Sequence, residues 1–264
     1  MAEKITSRKN RRIIDAHSLS DKKARDKNRL FAVEGIKLFD ELLCENVELC
    51  EVYYTESAGR RFADSIEKAS KKCEAFEVTD EVYEKLSFEK NPEGIFAVAK
   101  KTAIYTEALE TPGDGGFVIL DGVQNPSNVG TVIRTAAALG VSRILLGEGC
   151  ADVFGPKTLR AAMGTLFKVN ICVTGNICSQ IQSLKEKGMH IYGAALDPTS
   201  VDVREISFEK DDCIVLGNEG NGIFEKVLSL CDRKIIIPMR QNAESLNAAA
   251  AAAVLIWEKQ KGVM

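Results

Sequence analysis

Three short clusters in the second half of this 264-residue chain carry side chains able to do chemistry. The first is Asn125-Pro126-Ser127-Asn128, followed six residues later by Arg134. Asn128 could simply cap a helix and Arg134 could be solvated. Yet Arg134 leads into Thr-Ala-Ala-Ala-Leu-Gly, a small-residue face that reads as packed, and an arginine at such an edge suits a phosphate or carboxylate partner. The second cluster is Gly217-Asn218-Glu219-Gly220, with Gly222 close behind. Its glycines allow a ligand to approach the backbone, and Glu219 could orient a group, accept a proton or cap nearby amides. The pattern is neither GxGxxG nor a P-loop with its lysine, so a dinucleotide or a nucleoside triphosphate is not indicated. The third cluster runs from Ile237-Pro238-Met239 to Glu244-Ser245-Leu246-Asn247 and opens onto six consecutive alanines. Ser245 could be a helix cap, and the alanines allow very close helix packing. Only two histidines exist, His17 and His190, and neither lies in a cluster, so a histidine base is not expected.

The elements around these clusters set their geometry. FVILDGV, from Phe117, is an unbroken apolar run typical of a strand buried on both faces of a parallel sheet. Strand and helix alternate from there to a last helix over about Ser245–Lys261, which predicts an α/β sheet of about six strands. All three clusters fall at strand ends, where open α/β sheets bind ligands. The first hundred residues predict a smaller α/β domain: a basic helical stretch to about Arg29, strands at Phe31–Gly35, Glu48–Thr55, Cys73–Val78 and Gly94–Lys100, and helices near Ile36–Asn46, Arg60–Lys71 and Asp80–Leu86. Residues 1–105 thus form one domain, the turn-rich residues 106–115 a linker, and residues 116–264 a second domain.

Composition narrows the class. The chain is 45% hydrophobic and 28% charged, enough apolar material for a core. It has no apolar run of membrane-spanning length and no secretory leader. None of the eight cysteines forms a CxxC pair, which argues for reduced, mostly buried thiols, a cytoplasmic location and no metal site. The net charge of −3 hides an asymmetry: residues 1–40 hold 11 Lys/Arg against 6 Asp/Glu. Arg8, Lys9, Arg11, Arg12, Lys22, Lys23 and Arg25 are therefore candidates for phosphate contact, or else a solvated face.

Taken in order and spacing, Asn-Pro-x-Asn-x-Gly-x-x-x-Arg-Thr-Ala at 125–136, Gly-Asn-Glu-Gly at 217–220 and Ile-Pro-Met…Glu-Ser-Leu-Asn at 237–247 resemble the three motifs of the TrmH/SpoU RNA 2′-O-ribose methyltransferases. The resemblance covers residues 115–264. More loosely, the N-terminal part resembles the small substrate-binding domain that precedes the catalytic domain in many members. It implies a SPOUT-type parallel sheet with a C-terminal trefoil knot, S-adenosylmethionine as cofactor, and a homodimer with the site at the subunit interface. It further implies cofactor contacts on Gly217, Ile237 and Leu246, with Asn218, Gly220 and Leu196 nearby. The catalytic group is then Arg134 with Asn128, Glu219, Ser245 and Asn247. A guanidinium keeps its proton, so Arg134 is better suited to fix a phosphate and stabilise a developing alkoxide than to act as a base.

The N-terminal domain and its basic stretch resemble members acting on large-subunit ribosomal RNA, which makes 23S rRNA the favoured target. A tRNA 2′-O-methyltransferase, an inactive RNA-binding relative and a base methyltransferase of the same fold are the alternatives. Arg240, in place of a glycine- or serine-rich lead-in to Ser-Leu-Asn, departs from the common form and leaves substrate preference open.

Overall fold

The structure, a computed structural model, describes residues 3–45, 47–240 and 245–262. It divides into two compact units, one of residues 1–102 with 152–167 and the other of residues 103–151 with 168–264.

The first unit runs β1 (Glu3–Ile5), α1 (Arg11–Ser18), α2 (Lys22–Asn28), β2 (Leu30–Glu34), α3 (Ile36–Cys44), β3 (Leu49–Thr55), α4 (Glu56–Arg61), α5 (Ala63–Ser70), β4 (Glu74–Val78), α6 (Asp80–Leu86) and β5 (Ile95–Lys100). Its sheet has the order β1-β4-β3-β5-β2, with β2 and β3 each antiparallel to β5 and the other pairs parallel. The basic N-terminal stretch is therefore folded: β1 pairs with β4, and Asn10 and Asp21 accept the amides of Arg12 and Lys23 as helix caps. The single helix expected over Arg60–Lys71 is two helices. They break at Phe62, whose backbone (φ −123°, ψ 31°) leaves the helical region.

The helix expected near Pro156 belongs to this unit and not to the second sheet. There Arg25, only 4% exposed, pairs with Asp152 at 2.7 Å, and the Phe31 ring lies 5.0 Å from Phe154 and 5.8 Å from Phe167. A buried ion pair and a ring cluster joining residues more than a hundred positions apart leave no periodic trace in the sequence.

The second unit contains β6 (Ile104–Tyr105), β7 (Val118–Leu120), α7 (Pro126–Ala138), β8 (Arg143–Leu146), β9 (Asn170–Val173), α9 (Ile177–Glu186), β10 (Ile191–Ala194), β11 (Val201–Asp202), β12 (Cys213–Leu216), α10 (Glu225–Leu228), β13 (Arg233–Ile236) and α11 (Ala248–Gln260); α8 (Pro156–Ala162) is the helix just assigned to the first unit. Eight strands pair in the order β11-β13-β10-β12-β7-β8-β9-β6, all parallel. Two more strands appear than expected because β6 and β11 are two-residue edge pairings, too short to show a pattern. The central strands β7, β8 and β12 are buried throughout, as their apolar runs predict.

All eight cysteines are free, but only Cys172 and Cys213 are buried and Cys44 is exposed; the expectation of mostly buried thiols is corrected. Several sit at strand or helix ends, where a thiol is only half covered. Among the described residues no helix is long and apolar enough to cross a membrane.

Candidate active site

Strand order brings the clusters together. β12 lies between β7 and β10 and is in register with β7, Leu216 opposite Leu120. The loops that follow, 217–224 and 121–125, therefore emerge side by side at the carboxyl edge of the sheet. β13 pairs with β10 on the far side of β12, so the segment after Ile236 reaches the same edge.

The loop after β12 turns at once. A Cβ on Gly217 would lie 2.1 Å from the carbonyl carbon of Gly222 and 2.2 Å from the amide nitrogen of Ile223, both backbone atoms that cannot yield. Only glycine permits this approach. Asn218 and Gly222 (φ +69°) exchange backbone hydrogen bonds of 2.8 and 3.0 Å. The Asn218 side chain braces both ends: Nδ2 donates to the Gly122 carbonyl at 2.8 Å, and Oδ1 accepts the Gly220 amide at 2.9 Å.

This hairpin presents Glu219 to the first loop. Glu219 Oε1 accepts from Asn128 Nδ2 at 2.8 Å and from the Asn125 amide at 3.3 Å; Oε2 accepts the Gln124 amide at 3.4 Å. Asn128 Oδ1 in turn accepts from Asn247 Nδ2 at 3.1 Å, and Asn247 Oδ1 caps α11 by accepting the Ala249 amide at 2.9 Å. The direction of this chain is forced. The cap requires the oxygen of Asn247, which leaves its nitrogen for Asn128, which leaves the nitrogen of Asn128 for Glu219. Partial burial raises the Glu219 pKa, but the bonds from Asn128 and the neighbouring amides outweigh it and hold the carboxyl below 4.5. Glu219 is thus ionised at neutral pH, with both oxygens engaged. What the network contributes to stability is complete above about pH 4.5 and is lost as pH falls below it.

Two caps differ from expectation. Asn125, not Asn128, caps α7, accepting the Ser127 amide at 2.9 Å with Pro126 in the first turn. Asn247, not Ser245, caps α11.

The hairpin, the segment after β13 and the start of α11 surround a cavity of about 690 Å³, within the usual range for small-ligand sites. Gly217, Asn218, Gly220, Ile237, Leu246 and Leu196 all line it, as do Glu219, Ser245 and Asn247. Ala248, Ala251 and Leu255 give the helix wall a small-residue surface. Among the described residues its charged side chains are Asp197, Glu219 and Glu225, with no Lys, Arg or His. Asp197 is held well below the usual carboxylate range by Lys234 Nζ at 2.7 Å and by the hydroxyl and amide of Thr199. Close backbone approach with only acidic charge fits a small ligand bearing positive charge, as S-adenosylmethionine does at its sulfonium and ammonium. Asp197 and Glu225 were missed in the sequence because each sits outside the motifs; strand order brings Asp197 to the site, and Glu225 follows the hairpin by three residues. Glu244 lies outside the described residues, and Arg240 is exposed and does not line the cavity.

Arg134 stands apart. It lies on the exposed face of α7 with Ser127 and Thr131, does not line the cavity, and makes no hydrogen bond or ion pair within the described chain.

In the first unit, the seven basic candidates separate. Arg25 is corrected: its guanidinium is spent on Asp152 and on the carbonyls of Leu19 and Ser20, so it has little left for phosphate. Arg12 is held by Glu51 and Glu74 and lies 4.7 Å over the Phe76 ring, and Arg11 pairs with Asp15 at 2.9 Å. Arg8, Lys9, Lys22 and Lys23 are exposed and carry no ion pair among the described residues. Neutralising these four is expected to weaken RNA binding and flatten the slope of log affinity against log salt by up to about 3. Arg25→Ala instead is expected to lower stability by about 3 kcal/mol, because it strands a partly buried Asp152. Filter binding across a salt series and thermal melts separate the two outcomes.

The chain is similar to known proteins over most of its length. The SpoU rRNA Methylase family matches residues 116–257, and the MRM3-like substrate binding domain matches residues 10–97. A 23S rRNA (guanosine(2553)-2′-O)-methyltransferase, RlmP of Bacillus subtilis, is 32% identical over 97% of this chain and 98% of its own. A 23S rRNA (uridine(2479)-2′-O)-methyltransferase of Streptomyces viridochromogenes is 31% identical over 64% of this chain and 61% of its own. The crystal structure of an AdoMet-bound rRNA methyltransferase from Sinorhizobium meliloti, 28% identical, superposes with a TM-score of 0.87 over 100% of this chain and 99% of that one.

Proposed function

Since the chain belongs to the SpoU rRNA Methylase family and is an S-adenosylmethionine-dependent RNA methyltransferase, we propose that it methylates a ribose 2′-hydroxyl of 23S ribosomal RNA, in the cytoplasm and as a homodimer. The observation that carries this reading is the convergence of three strand-end motifs on one acidic cavity, beside an ionised Glu219 whose lone pairs are already engaged.

Bound in that cavity, the cofactor supplies a methyl group already activated for transfer. The chain's own residues position the acceptor. Glu219 is a poor proton acceptor at neutral pH, and its work is to lock the loop after β7 against the hairpin after β12. Ser245 borders the cavity where the acceptor would enter, and Asn247 ties that border to Asn128. Arg134 offers a planar, permanently charged fork to a phosphate beside the target ribose and to the alkoxide that develops there.

Arg134 does not line the cavity of its own chain, which supports a site completed by a second copy. Ala250, Val254 and Trp257 form an exposed stripe along α11, which packs against α7, and this stripe is the surface we assign to the dimer. The reading also includes the trefoil knot. In its support, the chain passes from β13 to α11, which contacts β12 and α7 across the intervening β10.

Transfer of labelled methyl to size-separated, unmodified RNA tests the target. Label in 23S rRNA is the expected result, and label confined to tRNA would overturn the target while keeping the reaction.

A further inference from the structure

Beside the cavity stands an aromatic ring that none of the roles above uses. Phe224, between the hairpin and α10, is 45% exposed. Its backbone is fixed: the Phe224 amide donates to Asp121 Oδ2 at 2.8 Å, and Asp121 is only 2% exposed. Its ring lies against Gly122, where an added Cβ would sit 3.1 Å from ring atom Cε2. Gly122 is in turn held by Asn218 through its carbonyl. The ring therefore rests on the same pair of loops that cradle Glu219: Gly122 is two residues before Gln124, and Phe224 is five after Glu219. It does not line the cofactor cavity, and among the described residues no other aromatic ring or cation stacks on it. Lys226, two residues on, is exposed and makes no ion pair among the described residues.

An exposed aromatic ring on an anchored backbone, next to an exposed lysine, is the arrangement that holds an unstacked base beside its phosphate. The anchored backbone matters here, because a segment already ordered loses little entropy when a partner stacks on its ring. We propose that Phe224 is a positioning residue that stacks a nucleobase of the RNA substrate next to the reacting ribose, with Lys226 on the adjoining phosphate. This rests on the RNA-methylating reading of the neighbouring cavity. A partner subunit covering the ring is the competing outcome.

The test compares Phe224→Leu, Phe224→Tyr and Phe224→Trp with the unaltered protein. Binding of unmodified ribosomal RNA and tRNA transcripts, assayed separately, is measured alongside kcat, KM, cofactor affinity and sedimentation mass. Leucine keeps apolar volume without a π face, so Phe224→Leu should raise the RNA dissociation constant and KM about tenfold with little change in kcat. Tyr and Trp should restore binding, and the Phe224→Trp protein should show RNA-induced fluorescence quenching beyond that of Trp257 alone. Cofactor affinity and mass should not move. RNA binding by Phe224→Leu equal to that of the unaltered protein would overturn the proposal, as would a loss of assembly in its place. If the unaltered protein methylates no RNA, the functional reading fails, while the binding comparison still decides the role of Phe224.

Discussion

Arg134→Ala leaves the fold and cofactor binding intact and loses methyl transfer by about 10²–10³-fold or more, the effect of removing one preorganised charged donor from a reacting centre. The reasons are visible in its surroundings. Arg134 is exposed and makes no contact within the described chain that its removal would break, so stability should change by no more than about 0.5 kcal/mol. Its proposed partner is a phosphate of the RNA and not the cofactor, so titration with S-adenosylmethionine should give an unchanged affinity. Arg134→Lys should recover little, because an ammonium is a point charge and cannot engage two oxygens in one plane. Single-turnover methyl transfer and calorimetry together check this. An active Arg134→Ala enzyme would remove the residue from the mechanism.

Gly217→Ala is expected to fail in the opposite way, losing cofactor before chemistry is reached. The new methyl carbon would lie 2.1 to 2.3 Å from backbone atoms of Gly222 and Ile223, so the hairpin must open. Opening it breaks the paired bonds between Asn218 and Gly222 and displaces Glu219 from Asn128. Overpacking of this kind costs about 1–3 kcal/mol in stability, and the cofactor should lose more than about 100-fold in affinity because its floor is the segment that moves. Full affinity in Gly217→Ala would mean that the hairpin is not that floor. The two variants also probe the dimer. Mixed and allowed to exchange subunits, Arg134→Ala and Gly217→Ala should regain activity if Arg134 serves the partner's cavity, because one composite site is then intact. No activity in the mixture would place Arg134 and the cavity in one chain.

Much of this site could be read from residue types alone. The apolar run at Phe117–Leu120 announced a central parallel strand, and glycines packed around Glu219 announced a close backbone approach. The resemblance of the three clusters to the family's motifs then implied which residues form the cavity's walls. What stayed hidden depends on contacts far apart in sequence. Charge counting could not separate Arg25, sealed against Asp152, from Lys22 and Lys23, because burial is set by the tertiary partner. Asn125 and Asn128 are equally good caps by type; only the demand of Glu219 for a donor draws Asn128 into the network. Asp197 carries no motif and reaches the site through the order of strands in the sheet, while Phe224, two residues past Gly222, shows its place only through its contacts with Asp121 and Gly122.

Identification of the methylated nucleoside tests the central claim most directly. Unmodified ribosomal RNA would be incubated with the protein and labelled S-adenosylmethionine, digested to nucleosides, and resolved by mass spectrometry. Label in a 2′-O-methylnucleoside, released within an alkali-resistant dinucleotide, is the result expected. Label on a base, with the ribose unmodified, would contradict the account.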